Sequence, residues 1–429
     1  MTSATHTSSL LKHVRNVLPY IAGNALEWYD FAVYAYFSTI ISRVVFAPHN
    51  DAMSALIKTY GMFFAGFLMR PLGGMIFGYI GDHYGREKSL AWSTYLMAIP
   101  TTCIGLLPSY TKVGAWSAFG LFILRLLQGL SIGGAFTGTM ILMVEKSPDG
   151  AKVWGGSWAS FSALLGLIMG SVMGTCMTFV LSSHHLNGWG WRVPFVVSIA
   201  GSWIASSITK TKTSAPPSSV ARPSILNTMR NLRAHHQNAI WRLLWADCVV
   251  AVGFFTIYTY TTAYLHSVLG YTHHFCTTLS TIGLMCAACM IPVAGRWGDT
   301  YGTATVLRWA SCTLAIVAIP FFMGYACRVY SITVIGHLIL CMLMACIFAM
   351  VPAFLVSLFP PAIRHSGIST VHNLCMALLG GSAPVLISTL VAHTHHVAIP
   401  GIVLALASVV SFLSFCSKPI VAHDRNAHY

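Results

Sequence analysis

Acidic residues are scarce in this chain, and two of them fall inside one apolar segment near the amino terminus. Glu27 and Asp30 are among only 10 acidic residues in 429. Their i,i+3 spacing places both carboxyl groups on one face of a helix, with Tyr34 one turn beyond Asp30. An ionised side chain at the centre of a bilayer costs about 2.5–3.5 kcal/mol, so it needs a partner or water. The spacing therefore predicts that these carboxyl groups line a cavity and that one of them takes up a proton. The alternative is that one or both pair with an arginine and only hold helices together.

Arg125 is the basic residue predicted to act with these carboxyl groups, because it also lies inside an apolar segment. Its guanidinium stays charged and can bind a substrate carboxylate through two hydrogen bonds. Two interpretations remain open: proton uptake by Glu27 or Asp30 is coupled to substrate binding at Arg125, or the residues form a permanent salt bridge. Asn373 adds a polar group to the predicted cavity. Asp247 is expected near the cytoplasmic end of its segment, where a solvated charge costs little.

The composition requires a lipid environment for the elements that position these residues. Hydrophobic residues make up 56% of the chain and charged residues 8%, with a net charge of +14. The basic residues lie in short loops without interleaved aromatics, which argues against nucleic-acid binding. An all-α membrane protein with twelve spanning helices is predicted from apolar runs of about 20 residues. The runs cover residues 17–42, 57–80, 90–108, 117–144, 155–181, 193–209, 240–265, 276–297, 306–326, 332–356, 367–392 and 399–417.

A polar interval divides the runs into two sets of six. It predicts an amino-terminal bundle over residues 1–209, a cytoplasmic linker over 210–239 and a carboxyl-terminal bundle over 240–429. With both termini in the cytoplasm, most loop lysines and arginines fall on the cytoplasmic side, as positive-inside insertion requires. GDHYG at residues 81–85 and GDTYG at residues 298–302 occupy the same place in each half. This repeat supports two parallel halves, a plan found among transporters.

Several motifs resemble those of one transporter family. They are GNALEWYDF at 23–31, RPLGG at 70–74, GDHYGREK at 81–88, RLLQG at 125–129 and WGWRVPF at 189–195. The chain resembles the metabolite:proton symporters of the major facilitator superfamily, the group with proline/betaine, α-ketoglutarate, citrate and shikimate carriers. The motifs follow the family's order over nearly the whole chain.

The resemblance implies roles for further residues. Tyr29, inside the first-helix signature, joins the predicted substrate and proton pathway. Asp82 and Arg86 correspond to a cytoplasmic gate that favours the outward-facing state, and Asp299 is expected to be a weaker counterpart. The alternative for Asp82 is a loop charge that only sets topology. Ala135 stands where the family usually has a glutamate, and the second-half loop lacks the usual arginines.

These features together predict a secondary active transporter of the inner membrane that moves a small organic solute by alternating access. No phosphate-binding G-x-x-x-x-G-K-[ST] loop occurs, so a proton gradient, rather than ATP or a cofactor, is the expected energy source. The expected solute is a zwitterionic osmolyte or a mono-, di- or tricarboxylate, and the expected state is a monomer without metal. The main alternative is a non-transporting membrane sensor. A membrane enzyme would need a clustered catalytic set, and none stands out.

Overall fold

The computed structural model describes residues 2–46, 52–199 and 225–417, and helices account for most of them. Of the six predicted spanning helices of the amino-terminal half, the last, α6, begins at residue 193 and is described as far as residue 199. The other five are α1 (Thr2–Tyr36, continued after Phe37 by Ser38–Val45), α2 (Ala52–Tyr84), α3 (Arg86–Leu106), α4 (Trp116–Lys146) and α5 (Lys152–Val180).

The carboxyl-terminal half follows a short helix, Ile225–His235, which lies in the predicted linker. Its spanning helices are α7 (Gln237–Ser267), α8 (His273–Tyr301), α9 (Thr303–Ala326), α10 (Tyr330–Ser357), α11 (Arg364–Thr394) and α12 (Ile399–Cys416). Among the described residues, eight helices are both long and apolar enough to cross a membrane. The predicted apolar runs agree with the helices to within about five residues, except that α1 begins at Thr2, 15 residues before the predicted start at residue 17. The sixth run is followed only to residue 199. The linker before residue 225 lies outside the described part, so the predicted domain limits stay a prediction.

Glycines bring α2 close to two neighbouring helices. A Cβ added at Gly73 would collide with the backbone of α4 at Leu130. A Cβ at Gly74 would collide with the backbone of α11 at Ser369, and one at Gly78 would lie 2.9 Å from the Cα of Ser366. Small residues at such spacing let helix backbones approach closely in lipid. The glycines of α2 therefore set both the packing within the first half and its contact with the second.

The most extensive contacts between the halves join α2 with α11 and α5 with α8. The second pair also uses glycine: a Cβ at Gly295 would lie 2.9 Å from the Cα of Trp154. Both pairs join the second helix of one half to the fifth helix of the other. The arrangement has the pseudo-symmetry that the repeated GD-x-YG motif predicts.

Two spanning helices of the second half contain a π-helical turn. In α7 the turn covers Thr256–Tyr260, and in α11 it covers Met376–Gly380. The carbonyl of Thr256 accepts the backbone N–H of Thr261, which closes the turn, and also the Thr261 hydroxyl over 2.8 Å. A Cβ at Gly380 would lie 2.8 Å from the Phe255 ring, so α11 approaches α7 beside both turns.

Candidate solute and proton site

Glu27 lies against a small cavity near the contact between the halves. The cavity has a volume of about 10 Å³, which is room for about one water molecule, and is lined by Glu27, Trp28, Phe31, Arg70, Ile132 and Phe136. Glu27 is 4% exposed, and its Oε1 has no hydrogen-bond partner among the described residues. The charge of Arg70 attracts it electrostatically. The site therefore combines one carboxyl group, one guanidinium and three aromatic rings.

Tyr29 and Asp30 contact α6 instead of lining this cavity. Asp30 is buried, and its Oδ2 accepts a hydrogen bond from the Ser198 hydroxyl over 2.8 Å. The hydroxyl of Tyr29 donates to the carbonyl of Pro194 over 3.1 Å. Glu27 therefore lines the cavity, whereas Tyr29 and Asp30 form a buried contact between α1 and the start of α6.

Arg125 and Tyr34 form a second polar cluster, shared by α1, α3 and α4. The Arg125 guanidinium lies 3.8 Å from the centroid of the Tyr34 ring and donates to Gln128 Oε1 over 2.7 Å. Gln128 in turn donates to the hydroxyl of Thr101 over 2.6 Å. Arg125 is 2% exposed, so a cation–π contact and charge-assisted hydrogen bonding compensate for its burial. The structure thus places Arg125 beside Tyr34, one of the predicted pathway residues.

Asn373 connects the cavity to the second half. Its Oδ1 accepts a hydrogen bond from Arg70 Nε over 3.1 Å. Its Nδ2 donates to the carbonyls of Gly133, at 2.5 Å, and Ser369, at 2.6 Å. Asn373 is fully buried and fixes the Arg70 fork beside Glu27 from across the boundary between the halves. A movement of Glu27 or Arg70 at the cavity can therefore be transmitted to α11 through the side chains of Arg70 and Asn373.

Asp82 acts as a cap for a helix of the other half. Its Oδ1 accepts from the backbone N–H of His365 at 3.2 Å, and its Oδ2 from that of Ser366 at 2.8 Å. The Ser366 hydroxyl also donates to Oδ2, over 2.7 Å. These N–H groups are the second and third of α11, and Ile363, which precedes the helix, has no side chain that could cap them. A carboxylate there also interacts favourably with the helix dipole.

Asp299 makes the matching contact on the other helix pair. Its Oδ1 accepts from the N–H of Val153 at 2.8 Å and its Oδ2 from that of Trp154 at 2.9 Å. These are again the second and third residues of a helix, α5, whose preceding residue Ala151 provides no cap. Asp299, expected to be the weaker counterpart, thus makes the same pair of backbone contacts as Asp82. The side chain of Arg86, the third predicted gate residue, lies outside the described residues.

Comparison with known proteins decides the family. The model of the Major Facilitator Superfamily matches residues 31–384. The chain belongs to the major facilitator superfamily. It is 33% identical over 401 residues to a putative proline/betaine transporter of Staphylococcus aureus (strain COL), covering 91% of this chain and 85% of that protein. It is 29% identical over 405 residues to the proline/betaine transporter of Escherichia coli (strain K12), with 91% and 80% covered.

Solved structures of this superfamily share the fold. The proton:xylose symporter XylE bound to 6-bromo-6-deoxy-D-glucose superimposes with a TM-score of 0.79 at 15% identity, covering 95% of both chains. FucP in the outward conformation gives a TM-score of 0.67 at 14% identity, covering 94% of this chain and 98% of that one. The predicted twelve-helix major facilitator fold is confirmed. The protein is a multi-pass membrane transporter, and its relatives are transporters rather than enzymes. The transport roles of the individual site residues stay predictions.

The roles of two buried charged residues in this major facilitator, Arg70 and Asp247, were not predicted from the sequence. Arg70 was assigned no role, although a buried arginine in a spanning segment needs a partner. Asp247, expected near solvent, is 1% exposed and its Oδ2 lies 2.7 Å from His372 Nδ1. The charge of Arg70 attracts both Glu27 and Asp247, one from each half. A central cation between two carboxylates could have been sought from the small number of charges in the apolar runs.

Proposed function

We propose that this chain transports a small zwitterionic osmolyte of the proline or betaine type, together with protons, across the cytoplasmic membrane. The observation that carries the proposal is the composition of the Glu27 cavity. The cavity is surrounded by one guanidinium, one carboxyl group and three aromatic rings. This set matches a neutral solute that bears one carboxylate and one ammonium group.

The aromatic rings suit the cationic end of such a solute. Trp28 lies edge-on to Phe136, with ring centroids 5.4 Å apart, and 5.9 Å from Phe31. Aromatic faces attract quaternary and secondary ammonium groups, and the attraction strengthens when water is excluded. The Arg70 fork, held by Asn373, is the group that would receive the carboxylate. A tricarboxylate would bring three negative charges to a site that has one guanidinium and its own carboxyl group, so the zwitterion is favoured. The curated relatives named proline/betaine transporters support the same solute class.

Proton coupling is proposed for the two buried carboxyl groups of α1. Glu27 Oε1 is buried without a hydrogen-bond partner among the described residues, and a buried carboxylate that is incompletely satisfied is stabilised by a proton or by a donor from a bound solute. Solute binding between Glu27 and Arg70 changes the field at both carboxyl groups. Uptake of a proton from one side and its release on the other would then accompany movement of the solute.

Alternating access would use the contacts between the halves. Asp82 and Asp299 close the ends of α2 and α8 that we assign to the cytoplasmic side, with both termini on that side. Arg364 adds an ion pair with Glu145 over 2.7 Å on the same face. Release of these contacts would open this face while the opposite face closes. The inner membrane location and this orientation belong to the proposal.

The deciding experiment is uptake into proteoliposomes that contain the purified full-length protein. Labelled proline and glycine betaine are tested with an imposed inward proton gradient, with and without a protonophore, and citrate and α-ketoglutarate serve as competitors. We expect uptake of the zwitterions that stops when the protonophore is added. Uptake insensitive to the gradient would refute proton coupling, inhibition by citrate alone would refute the solute class, and binding without flux would favour the sensor.

A further inference from the structure

A second cavity leads from Glu27 toward the predicted cytoplasmic face. It has a volume of about 30 Å³, which is room for about two water molecules, and lies between α1, α3 and α4. Glu27 lines it at one end and Glu87 at the other. Between these two carboxyl groups the lining includes Tyr20, Gly23, Asn24, Thr94 and Thr139. Because all of these belong to the first half, the cavity does not cross the boundary between the halves.

Two unsatisfied polar atoms border this cavity. Asn24 Oδ1 and Glu27 Oε1 are buried and have no hydrogen-bond partner among the described residues. The Asn24 amide nitrogen is held elsewhere, because it donates to Ser162 Oγ over 2.7 Å and to the carbonyl of Ala159 over 3.2 Å. Buried acceptors without protein partners are as a rule satisfied by internal water. These two atoms lie one helical turn apart on α1, along the line of the cavity.

The far end of the cavity reaches solvent through a group of three side chains. Glu87 Oε1 accepts hydrogen bonds from the Tyr20 hydroxyl at 2.9 Å and from Lys146 Nζ at 2.7 Å. Lys146 Nζ also lies 2.9 Å from the Tyr20 oxygen. The side chain of Glu87 is 16% exposed and that of Lys146 34% exposed. A carboxylate, a hydroxyl and an ammonium group thus meet where the cavity approaches the surface.

We propose that this cavity is a proton path through which Glu27 releases its proton to the cytoplasmic side. The proton leaves the Glu27 carboxyl group, passes along water beside Asn24, and reaches the Glu87 carboxylate, from which it goes to bulk water. Glu27 becomes a carboxylate, and Glu87 returns to its paired state with Lys146. The proposal rests on the proton coupling proposed above. Its consequence is that the proton can leave while Asp82 and Asp299 still hold the two halves together.

Two variants test the path without touching the solute site. Glu87→Gln removes the terminal acceptor. Gly23→Leu fills the cavity instead, because a Cβ at Gly23 meets nothing within 4 Å and leucine is a good helix former. Gly23→Ala gives a graded comparison, since its single methyl group fills less of the space. Asp149→Asn is the control, because that side chain is 99% exposed, forms only a surface ion pair with Lys152 and does not line the cavity.

Two assays on the full-length protein in proteoliposomes separate proton release from movement of the carrier. Net uptake of proline or glycine betaine is measured with an entrapped pH dye, and counterflow of labelled for unlabelled solute is measured at equal pH. Counterflow does not require release of the proton. We expect Glu87→Gln and Gly23→Leu to slow net uptake and proton flux by about tenfold, less than a fully positioned proton-transfer group contributes, because water remains. Counterflow should stay at the wild-type rate, and Gly23→Ala should slow net uptake less than Gly23→Leu.

The outcomes distinguish this proposal from the proposed function. Wild-type protein that moves solute without protons would overturn both. Proton-coupled uptake at the normal rate in both variants would overturn the path alone. A fall in counterflow that matches the fall in net uptake would also overturn it, because the residues would then act on the movement of the carrier.

Discussion

The caps that Asp82 and Asp299 provide allow a quantitative prediction about the contact between the halves. Each carboxylate accepts two backbone N–H groups of a helix in the other half. Substitution by asparagine keeps one acceptor oxygen but turns an amide N–H₂ toward the second backbone donor. One charge-assisted hydrogen bond, worth about 1.5–3 kcal/mol, is lost, together with about 0.3–1 kcal/mol of interaction with the helix dipole. Each variant should therefore destabilise its closed contact by about 2–4 kcal/mol.

Hydrogen exchange, followed by mass spectrometry on the full-length protein in nanodiscs, measures the loss of stability of each closed contact. A loss of about 2–4 kcal/mol raises the opening equilibrium by roughly thirty- to a thousandfold. In Asp82→Asn the faster exchange should appear in peptides that contain His365 and Ser366. In Asp299→Asn it should appear in peptides that contain Val153 and Trp154. Because about 5.5 kcal/mol inverts a two-state population from 99:1, the double variant is expected to open this face for much of the time.

The control and the refuting results follow from the same peptides. Asp149→Asn removes a charge from the same face but caps no helix, so exchange in the peptide that contains His365 and Ser366 should be unchanged. Its ion pair with Lys152 at the start of α5 is exposed and contributes about 0–1 kcal/mol, so exchange in the peptide that contains Val153 and Trp154 should change far less than in Asp299→Asn. If exchange is fast in Asp82→Asn but stays at the wild-type rate in Asp299→Asn, the Asp299 cap contributes less than the Asp82 cap, as the sequence predicts. Unchanged exchange in both would refute the idea that these carboxylates hold the face closed.

Three further predictions concern the buried charges. Asp30→Asn should abolish the dependence of uptake on the pH gradient, while counterflow should persist. Normal uptake with normal pH dependence in proteoliposomes would exclude a proton role for Asp30. Arg70→Lys should raise the KM for a carboxylate solute by about tenfold or more, because the bidentate fork is lost while the charge remains; an unchanged KM would remove Arg70 from the solute site. Asp247→Asn should destabilise the protein by about 1.5–3 kcal/mol, because the buried Nδ1 of His372 loses the carboxylate oxygen that lies 2.7 Å away. Thermal unfolding in detergent measures this, and an unchanged melting temperature would contradict it.

The architecture was predictable because the bilayer dictates it. A chain with 8% charged residues must keep its apolar runs in lipid and its backbone hydrogen bonds within helices. Run length and loop charge then define the helices and their expected orientation. The two-half plan was predictable from the GD-x-YG repeat.

The partners of the buried polar groups were not predictable, because they come from distant parts of the chain. Helical spacing gives the face of a side chain, but the residue opposite that face depends on how the helices are arranged. Arg70 meets Asn373, 303 positions away, and Asp82 meets Ser366, 284 positions away. Asp247 was misplaced for a related reason: its distance from the start of α7 suggested solvent, whereas α11 covers it with His372.

The wide turns in α7 and α11 bear on how this protein tolerates insertions and deletions. A π-helical turn holds one residue more than the α-helical turn it replaces, while the helix on either side keeps its phase. Removing one residue from Thr256–Tyr260 or from Met376–Gly380 would leave an ordinary helix with the same flanking faces. Such shortened chains should still fold and insert, and any loss of transport in them would measure what the additional residue contributes to the transport cycle.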